Sequence, residues 1–525
     1  MLARIRERRE PFDIVIIGGG ATGAGVAVDA ASRGLATLLL EREDFGKGTS
    51  SRSTKLVHGG VRYLEQGNIS LVMEALRERG ILRRNAPHLV HDVPFVVPNY
   101  SWWETPFYGI GLKIYDLLAG EYGFGKSRLL SREETLERLP NLRRDGLRGG
   151  VIYHDGQFDD ARLLIHLLAT AVDYDATVLN YAPAVEITRD SDGFVNGVVA
   201  LDTESGTRFS IATKVVINAT GMFTDETRQL ADKNATPMMV PSQGIHLVLD
   251  RSFLRGNSAI MVPHTSDGRV LFAIPWHHHT VIGTTDTPID RPSYEPRPFE
   301  HEIEFVLETA GEYLARPPQR DDVLSVFVGI RPLVKQAGAS ATTTSSLSRD
   351  HTIHIDDSGL LTIAGGKWTT YRHMAEDAVD HAITLGRLPD KPCVTRDLHI
   401  HGYADVEDSD SLWVYGSDAA KIRALAADSP DLARPLDAQL SSISAEVVWA
   451  AREEMARTVE DVLARRTRAL FLDARAALRI APAVAALLAR ELGRDQAWAD
   501  AEVARFSGLA SGYLLPGNTP HQEHQ

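Results

Sequence analysis

An α/β chain with an inserted β-rich block and an all-α C-terminal domain is what the sequence predicts. Three observations carry that reading. The first is Asp13–Glu41, where an apolar run (Ile14–Ile17) enters a glycine cluster, a helical pattern follows, and a second apolar run (Leu35–Leu40) ends on an acid. The second is a density of short alternating strands between Pro237 and Ser348, among them HLVLD, AIMVP, VLFAIPW and HTVIGTTD. The third is an Ala-, Arg- and Glu-rich stretch, about 404 to 506, with apolar positions at helical spacing.

The first stretch reads as strand, tight turn, helix, strand. Gly18, Gly20 and Gly23 make G-x-G-x-x-G, and Glu41 follows at the interval of a carboxylate that accepts from a ribose hydroxyl. Glycine admits positive φ and close approach of a pyrophosphate, while the helix N-terminus and its dipole favour phosphate. This is a Rossmann-like dinucleotide site, and by itself it does not separate NAD from FAD. Two later strand ends carry similar turns: Val215–Ile217 enters Asn218-Ala219-Thr220-Gly221, and Leu360–Ala364 enters Gly365-Gly366-Lys367 before a helix from Thr369. Ligands of α/β sheets sit at the carboxyl ends of strands. Three such turns spread over the chain favour a large cofactor with interrupted coverage, and so FAD.

Between these lie the remaining elements. The polar loop after Glu41 is long for a connector and is a functional candidate, with Thr49, Ser50, Ser51, His58, Gly59, Arg62 and Tyr63. A helix over about 69–84 follows, then a strand pair near 93–98 and the aromatic, apolar segment 101–120. That segment reads as a packed surface helix or as an amphipathic contact with a membrane surface; its few positive charges count against the second. A strand at 151–153, a helix at 159–171 and a small sheet within 178–201 complete the middle. The expected divisions are 1–92, 151–236 and 349–390 for the nucleotide-binding domain, 93–150 for a substrate or cap segment, 237–348 for the β-rich substrate domain, 391–402 for a linker and 403–525 for the helical domain.

Composition bounds the function. The 525 residues are 43% hydrophobic and 24% charged, enough for two or three domains, and the net charge of −14 gives no hint of a nucleic-acid protein. Cys393 is the single cysteine, which excludes an intramolecular disulfide and fits a reducing compartment. The N-terminus MLARIRERREPF lacks an apolar h-region, so no secretory signal is expected, and Glu7 and Glu10 count against a transit peptide. No run approaches the roughly 18 apolar residues of a spanning helix. His277-His278-His279 invites a metal but lies between two strands and reads as a solvated hairpin turn; no metal site is expected.

The runs IGGGATGAGVAVDAASRG and GGKWTTYRHMA, with KLVHGGVRYLE, NATG, PWHHHTVIGTTD and GIRPL between them, resemble the signature stretches of the FAD-dependent glycerol-3-phosphate dehydrogenases, in order over roughly 12–390. The resemblance implies a fold like the glycine-oxidase branch of FAD oxidoreductases and oxidation of sn-glycerol 3-phosphate to dihydroxyacetone phosphate. It implies a quinone as electron acceptor at a membrane surface, with an O2-using oxidase that releases peroxide or a non-catalytic FAD-binding scaffold as alternatives. Oxidase relatives tend to carry an extra segment that is not seen here. A homodimer and a cytoplasmic location, peripheral on the inner face of the cell membrane, are expected. A phosphate dianion needs cations, and Arg gives bidentate geometry. Arg62, Tyr63, Arg349 and Lys367 are expected to grip the phosphate, Lys367 alternatively touching flavin. The stretch before Arg349, ASATTTSSLS, departs from the family pattern. His246, in PSQGIHLVL, matches the family's histidine near the substrate and is the expected base, beside Arg331 on the C2 oxygen. Gly18, Gly20, Gly23, Glu41, Thr49, Ser50, Ser51, His58, Gly59, Gly221, Gly366 and Thr369 are the expected cofactor contacts.

Overall fold

The computed structural model describes residues 1–61, 64, 67–102, 104–263, 265, 269–335, 350–405 and 411–515. Its centre is the strand β1 (Phe12–Ile17), whose Ile14, Val15 and Ile16 are fully buried. Burying such side chains on both faces stabilises by roughly 1.5–3 kcal/mol each, and a strand apolar on both faces belongs inside a parallel sheet. β1 pairs in parallel with β2 (Thr37–Leu40) on one side and β10 (Thr207–Asn218) on the other. Beyond them stand β7 (Thr177–Leu179) on the β2 side, then β18 (Leu361–Gly365) and β17 (His351–Ile355) on the β10 side. β8 (Ala184–Arg189) and β9 (Val195–Asp202) extend the near half of β10 as an antiparallel meander.

The helix Ala21–Ser32 crosses from β1 to β2. It stops at Gly34, where φ is +74° and the Leu35 N–H returns to the Ala30 carbonyl, an end that glycine makes easy. The helix Tyr371–Gly386 packs beside it and the helix Asp160–Asp173 covers the same face.

A second sheet holds β3 (Leu56–Val57), β4 (Val90–Asn99), β5 (Arg128–Leu130), β6 (Gly149–Phe158), β11 (Met239–Asp250), β12 (Ala259–Val262), β13 (Leu271–Trp276), β14 (His279–Gly283), β15 (Thr287–Pro288) and β16 (Val323–Val334). This corrects the expected division into a cap over 93–150 and a separate β-rich domain over 237–348. β12 pairs in parallel with β4, Ala259 opposite Phe95, so both stretches build one sheet. β3 carries the sheet back to the loop after Glu41.

The C-terminal residues form the expected helical domain, and it packs against both sheets. Leu398, Ile400, Leu412, Tyr415 and Ala445 pack into the core under the first sheet. Val447, Leu463, Phe471 and Val484 pack with Phe95, Ile274 and Phe327 under the second. The stretch 391–402, expected as a linker, is thus partly core. The turn His277-His278 has φ of 44° and 59° at its two residues, the geometry of a two-residue hairpin, joining β13 to β14. His277 is held rather than solvated: its Nε2 lies 2.8 Å from Asp159 and its ring stacks on Trp413. Among the described residues no group of three His, Cys, Asp or Glu side chains is arranged to hold a metal, and no helix is long and apolar enough to cross a membrane.

Candidate active site

A cavity of about 510 Å³ opens at the carboxyl ends of β1, β10 and β18. Gly18 and Gly20 from the first turn, Gly221 from the second, and Gly366, Lys367 and Thr369 from the third all line it. Gly18 sits at φ +112°, and a Cβ there would lie 2.6 Å from the Ala219 carbonyl oxygen, so the backbone is bare where the first two turns meet. Glu41 closes this corner. Its Oε2 accepts from the Gly19 N–H at 2.6 Å and its Oε1 from the Glu43 N–H at 2.8 Å. Burial raises its pKa, and the two N–H groups pull the other way. Each oxygen has further lone-pair capacity for a hydroxyl donor.

The loop after Glu41 forms much of the remaining wall. The Thr49 hydroxyl donates to the Ile330 carbonyl at 2.6 Å. The Ser50 Oγ accepts from the Ala21 N–H at 2.9 Å, at the helix N-terminus, and the Ser50 carbonyl accepts from the Trp368 indole at 2.8 Å. The Thr369 hydroxyl meets the backbone of His58, which also lines the cavity. First turn, loop and third turn are therefore one hydrogen-bonded unit.

Three expected cofactor contacts stand outside the cavity wall. Gly23 packs inward; a Cβ there would come 1.9 Å from the Gly18 carbonyl oxygen, so this glycine permits the turn rather than facing its contents. Ser51 is buried with its carbonyl turned to Lys55 Nζ and Arg468 Nη2, both at 2.8 Å. The Gly59 N–H donates to the Tyr115 hydroxyl at 2.8 Å. Arg62, Tyr63 and Arg349 lie outside the described residues.

The second sheet supplies the far wall. β11 and β16 are antiparallel with Ser242 opposite Arg331 and His246 opposite Phe327. Direct pairs and alternate residues share a face, so His246 and Arg331 project from the same side. The His246 ring stacks on Phe327 at 4.7 Å between centroids, and its Nε2 lies 2.9 Å from Thr54 Oγ1. Burial, with Lys55 and Arg331 nearby, holds His246 well below its ordinary pKa, so it is neutral at pH 7. Arg331 is oriented by its neighbours: Nη2 donates to the Thr285 carbonyl at 2.8 Å and Nη1 to Asp286 at 3.2 Å. Both residues come from TVIGTTD. Lys367 Nζ is buried in the third turn, on the cavity wall.

The sequence reading missed Thr54, one hydroxyl among five in its loop, and Asp286, which orients Arg331. It also missed the arginines that hold the loop. Asp44 accepts from Arg465 Nε at 2.5 Å and from Arg466 Nη1 and Nη2 at 2.8 and 2.9 Å. These charges hold its carboxyl well below the usual range against the effect of burial. The run LARRTR shows only helical periodicity; nothing local says what its guanidinium groups reach.

A strand-turn-helix cradle continued by two further strand-end turns, facing a β wall with a neutral histidine and an oriented arginine, is the site of a flavin oxidoreductase. Residues 13–372 match the profile of the family described as FAD dependent oxidoreductase, and residues 362–499 match that of the C-terminal domain of alpha-glycerophosphate oxidase. The mitochondrial glycerol-3-phosphate dehydrogenase of Mus musculus is 40% identical over 542 residues, covering 96% of this chain and 74% of its own. That of Arabidopsis thaliana is 42% identical over 526 residues, covering 92% and 83%. The glycerol-3-phosphate dehydrogenase of Bacillus halodurans, solved in complex with FAD, superposes with a TM-score of 0.79 at 30% identity, covering 97% and 96% of the two chains. Glycine oxidase of Geobacillus kaustophilus, at 20% identity and a TM-score of 0.53, shares the fold. The chain belongs to the FAD-dependent glycerol-3-phosphate dehydrogenase family.

The residues present fit FAD. Bare backbone at Gly18, a buried carboxylate with spare lone pairs, and a cavity that runs past all three turns suit its pyrophosphate, ribose and isoalloxazine in turn. Gly18, Gly20, Glu41, Ser50, Gly221 and Gly366 are the residues positioned to hold it.

Proposed function

We propose that this enzyme oxidises sn-glycerol 3-phosphate at C2 to dihydroxyacetone phosphate and passes the electrons to a quinone at a membrane surface. FAD, when bound, supplies the acceptor for the C2 hydride. The other parts of the reaction fall to the chain. His246 takes the hydroxyl proton: it is neutral, buried and on the cavity wall. Arg331, oriented by Thr285 and Asp286, polarises the C2 oxygen. Lys367, with Arg62, Tyr63 and Arg349, grips the phosphate dianion, for which fixed cations outcompete water. The observation that carries this reading is the pairing of His246 and Arg331 on one face of β11 and β16, opposite the three glycine turns.

Support for the membrane and quinone comes from the helix Glu104–Ala119. Phe107, Ile110, Ile114 and Leu117 recur at three- and four-residue spacing and are exposed, Ile110 at 65% and Leu117 at 79%, with Trp102 at 77% just before them. A stripe of this kind on a surface helix favours a lipid interface over bulk water. The homodimer and the cytoplasmic face of the membrane belong to the same proposal.

Anaerobic addition of glycerol 3-phosphate to the holoenzyme tests the activity. Bleaching of the flavin absorbance, reversed by a short-chain quinone, is expected. An unbleached flavin would favour a scaffold. Fast peroxide release in air without quinone would favour an oxidase, in keeping with the matched C-terminal profile.

A further inference from the structure

His246 is fully used on one edge and sealed on the other. Its Nδ1 is buried and, among the described residues, has no hydrogen-bond partner. Phe327 covers a ring face. Cδ2 lies against Gly283, where a Cβ would come within 2.4 Å of it. The polar contact that remains is Nε2 with Thr54 Oγ1, at 2.9 Å, and Thr54 lines the cavity.

Thr54 is also held in place from both sides. The N–H and the hydroxyl of Ser53 donate to Asp160 Oδ2 at 3.0 and 2.7 Å, and Lys55 Nζ donates to the same oxygen at 2.7 Å. Lys55 is completely buried and sits at φ +66°, a conformation that a non-glycine residue keeps only when its surroundings over-determine it. Asp160 is fixed in turn, its Oδ1 accepting from the Ala161 N–H at 2.8 Å and from Arg468 Nη2 at 3.1 Å. A strained lysine and a buried carboxylate thus fix the residues on both sides of one threonine, whose hydroxyl donates to Nε2 of the base in the tautomer that carries its proton on Nδ1.

We propose that Thr54 is a catalytic proton relay: its Oγ1 accepts the C2-hydroxyl proton of the substrate while its own proton passes to His246 Nε2. One O–H bond breaks on the substrate and one forms on Thr54; one O–H bond breaks on Thr54 and one N–H bond forms on His246. The proton ends on the imidazole and the threonine is unchanged. The inference rests on His246 being the base.

The test is anaerobic stopped-flow reduction of the bound flavin at saturating glycerol 3-phosphate, with KM, FAD content and solvent deuterium isotope effect measured alongside. Thr54→Val keeps the shape and removes the hydroxyl. It is expected to slow reduction by about 10²–10³-fold, the range of lost acid–base catalysis, with KM and FAD content within threefold of the parent. Thr54→Ser keeps the hydroxyl and is expected to stay within fivefold and retain the isotope effect. Combining Thr54→Val with His246→Ala is expected to be no slower than His246→Ala alone, as for two members of one relay. A Thr54→Val enzyme within threefold of the parent, beside a slow His246→Ala, overturns the relay and leaves the base assignment standing. A His246→Ala enzyme at the parental rate overturns the base assignment and the relay with it. Parallel losses of rate and FAD in Thr54→Val, matched in Thr54→Ser, overturn the relay in favour of a packing role.

Discussion

Asp44→Asn examines how far the C-terminal residues serve the cofactor. Asp44 is fully buried in the loop after Glu41, and two guanidinium groups close on it from Arg465 and Arg466. The substitution preserves shape and deletes the charge. Arg465 retains Glu460 at 2.8 Å and Asp461 at 2.9 Å; Arg466 loses its bidentate partner and keeps the more distant Glu454 carboxylate, at 3.5 Å. Removing one member of a buried ion network costs about 3–5 kcal/mol, because the remaining charge stays desolvated. Between Glu41 and β3 the loop has little regular structure of its own beyond a 3₁₀ turn at Thr49–Ser51, so its closed form depends on such anchors. If the closed loop is what FAD binds, about 3 kcal/mol becomes a weakening of about 100-fold. The assay is FAD affinity of the reconstituted apoprotein, read by flavin fluorescence. Arg479→Ala provides the control, since its partner Asp437 is met at the surface and such a pair contributes about 1 kcal/mol or less. A variant that melts earlier yet binds FAD within threefold of the parent would refute the reasoning: the arginines would then stabilise the C-terminal interface without shaping the cofactor loop.

Other outcomes follow from single contacts. Gly23→Ala places a methyl 1.9 Å from the Gly18 carbonyl oxygen, and the purified protein is expected to lack flavin by its absorbance ratio; full flavin content would show that the turn can widen. His401 bridges Asp418 and Asp173, chiefly through the Asp418 hydrogen bond, and its pKa is raised to about 9. A pKa raised by folding stabilises fully below the ordinary value and is lost as pH climbs through the folded one. The melting temperature is therefore expected to fall between pH 7 and 9 in the parent and less so in His401→Gln; equal slopes would exclude this pair as their source. Ile110→Asp with Leu117→Asp is expected to abolish co-flotation with lipid vesicles while leaving flavin reduction unchanged; persistent flotation would move the membrane contact elsewhere.

Local chemistry was enough for part of the site. Gly18, Gly20, Glu41 and Gly366 were legible because a sharp turn, a bare backbone and a terminal acid are properties of consecutive residues. The direction a loop residue faces was not. Thr49, Ser50, Ser51 and Thr54 read alike in sequence, yet the first two shape the wall, the third turns inward to Arg468 and the fourth meets His246. Those directions come from anchors about 100 to 400 residues away, Asp160 and Arg468 among them. Domain divisions failed for a related reason. Alternation says which face of a strand is buried but not which strand lies beside it, so nothing in 93–98 announced β12 as a neighbour.

By itself, then, the sequence determined a dinucleotide cradle, its continuation at two later strand ends and the classes of its three regions. Only the tertiary structure decided that 90–158 and 239–334 share a sheet, that the C-terminal arginines hold the cofactor loop, and that a threonine stands against the histidine. The first set depends on periodicity and turn chemistry, which act between near neighbours. The second depends on buried charges and strand edges, whose partners are chosen by what folding leaves unpaired.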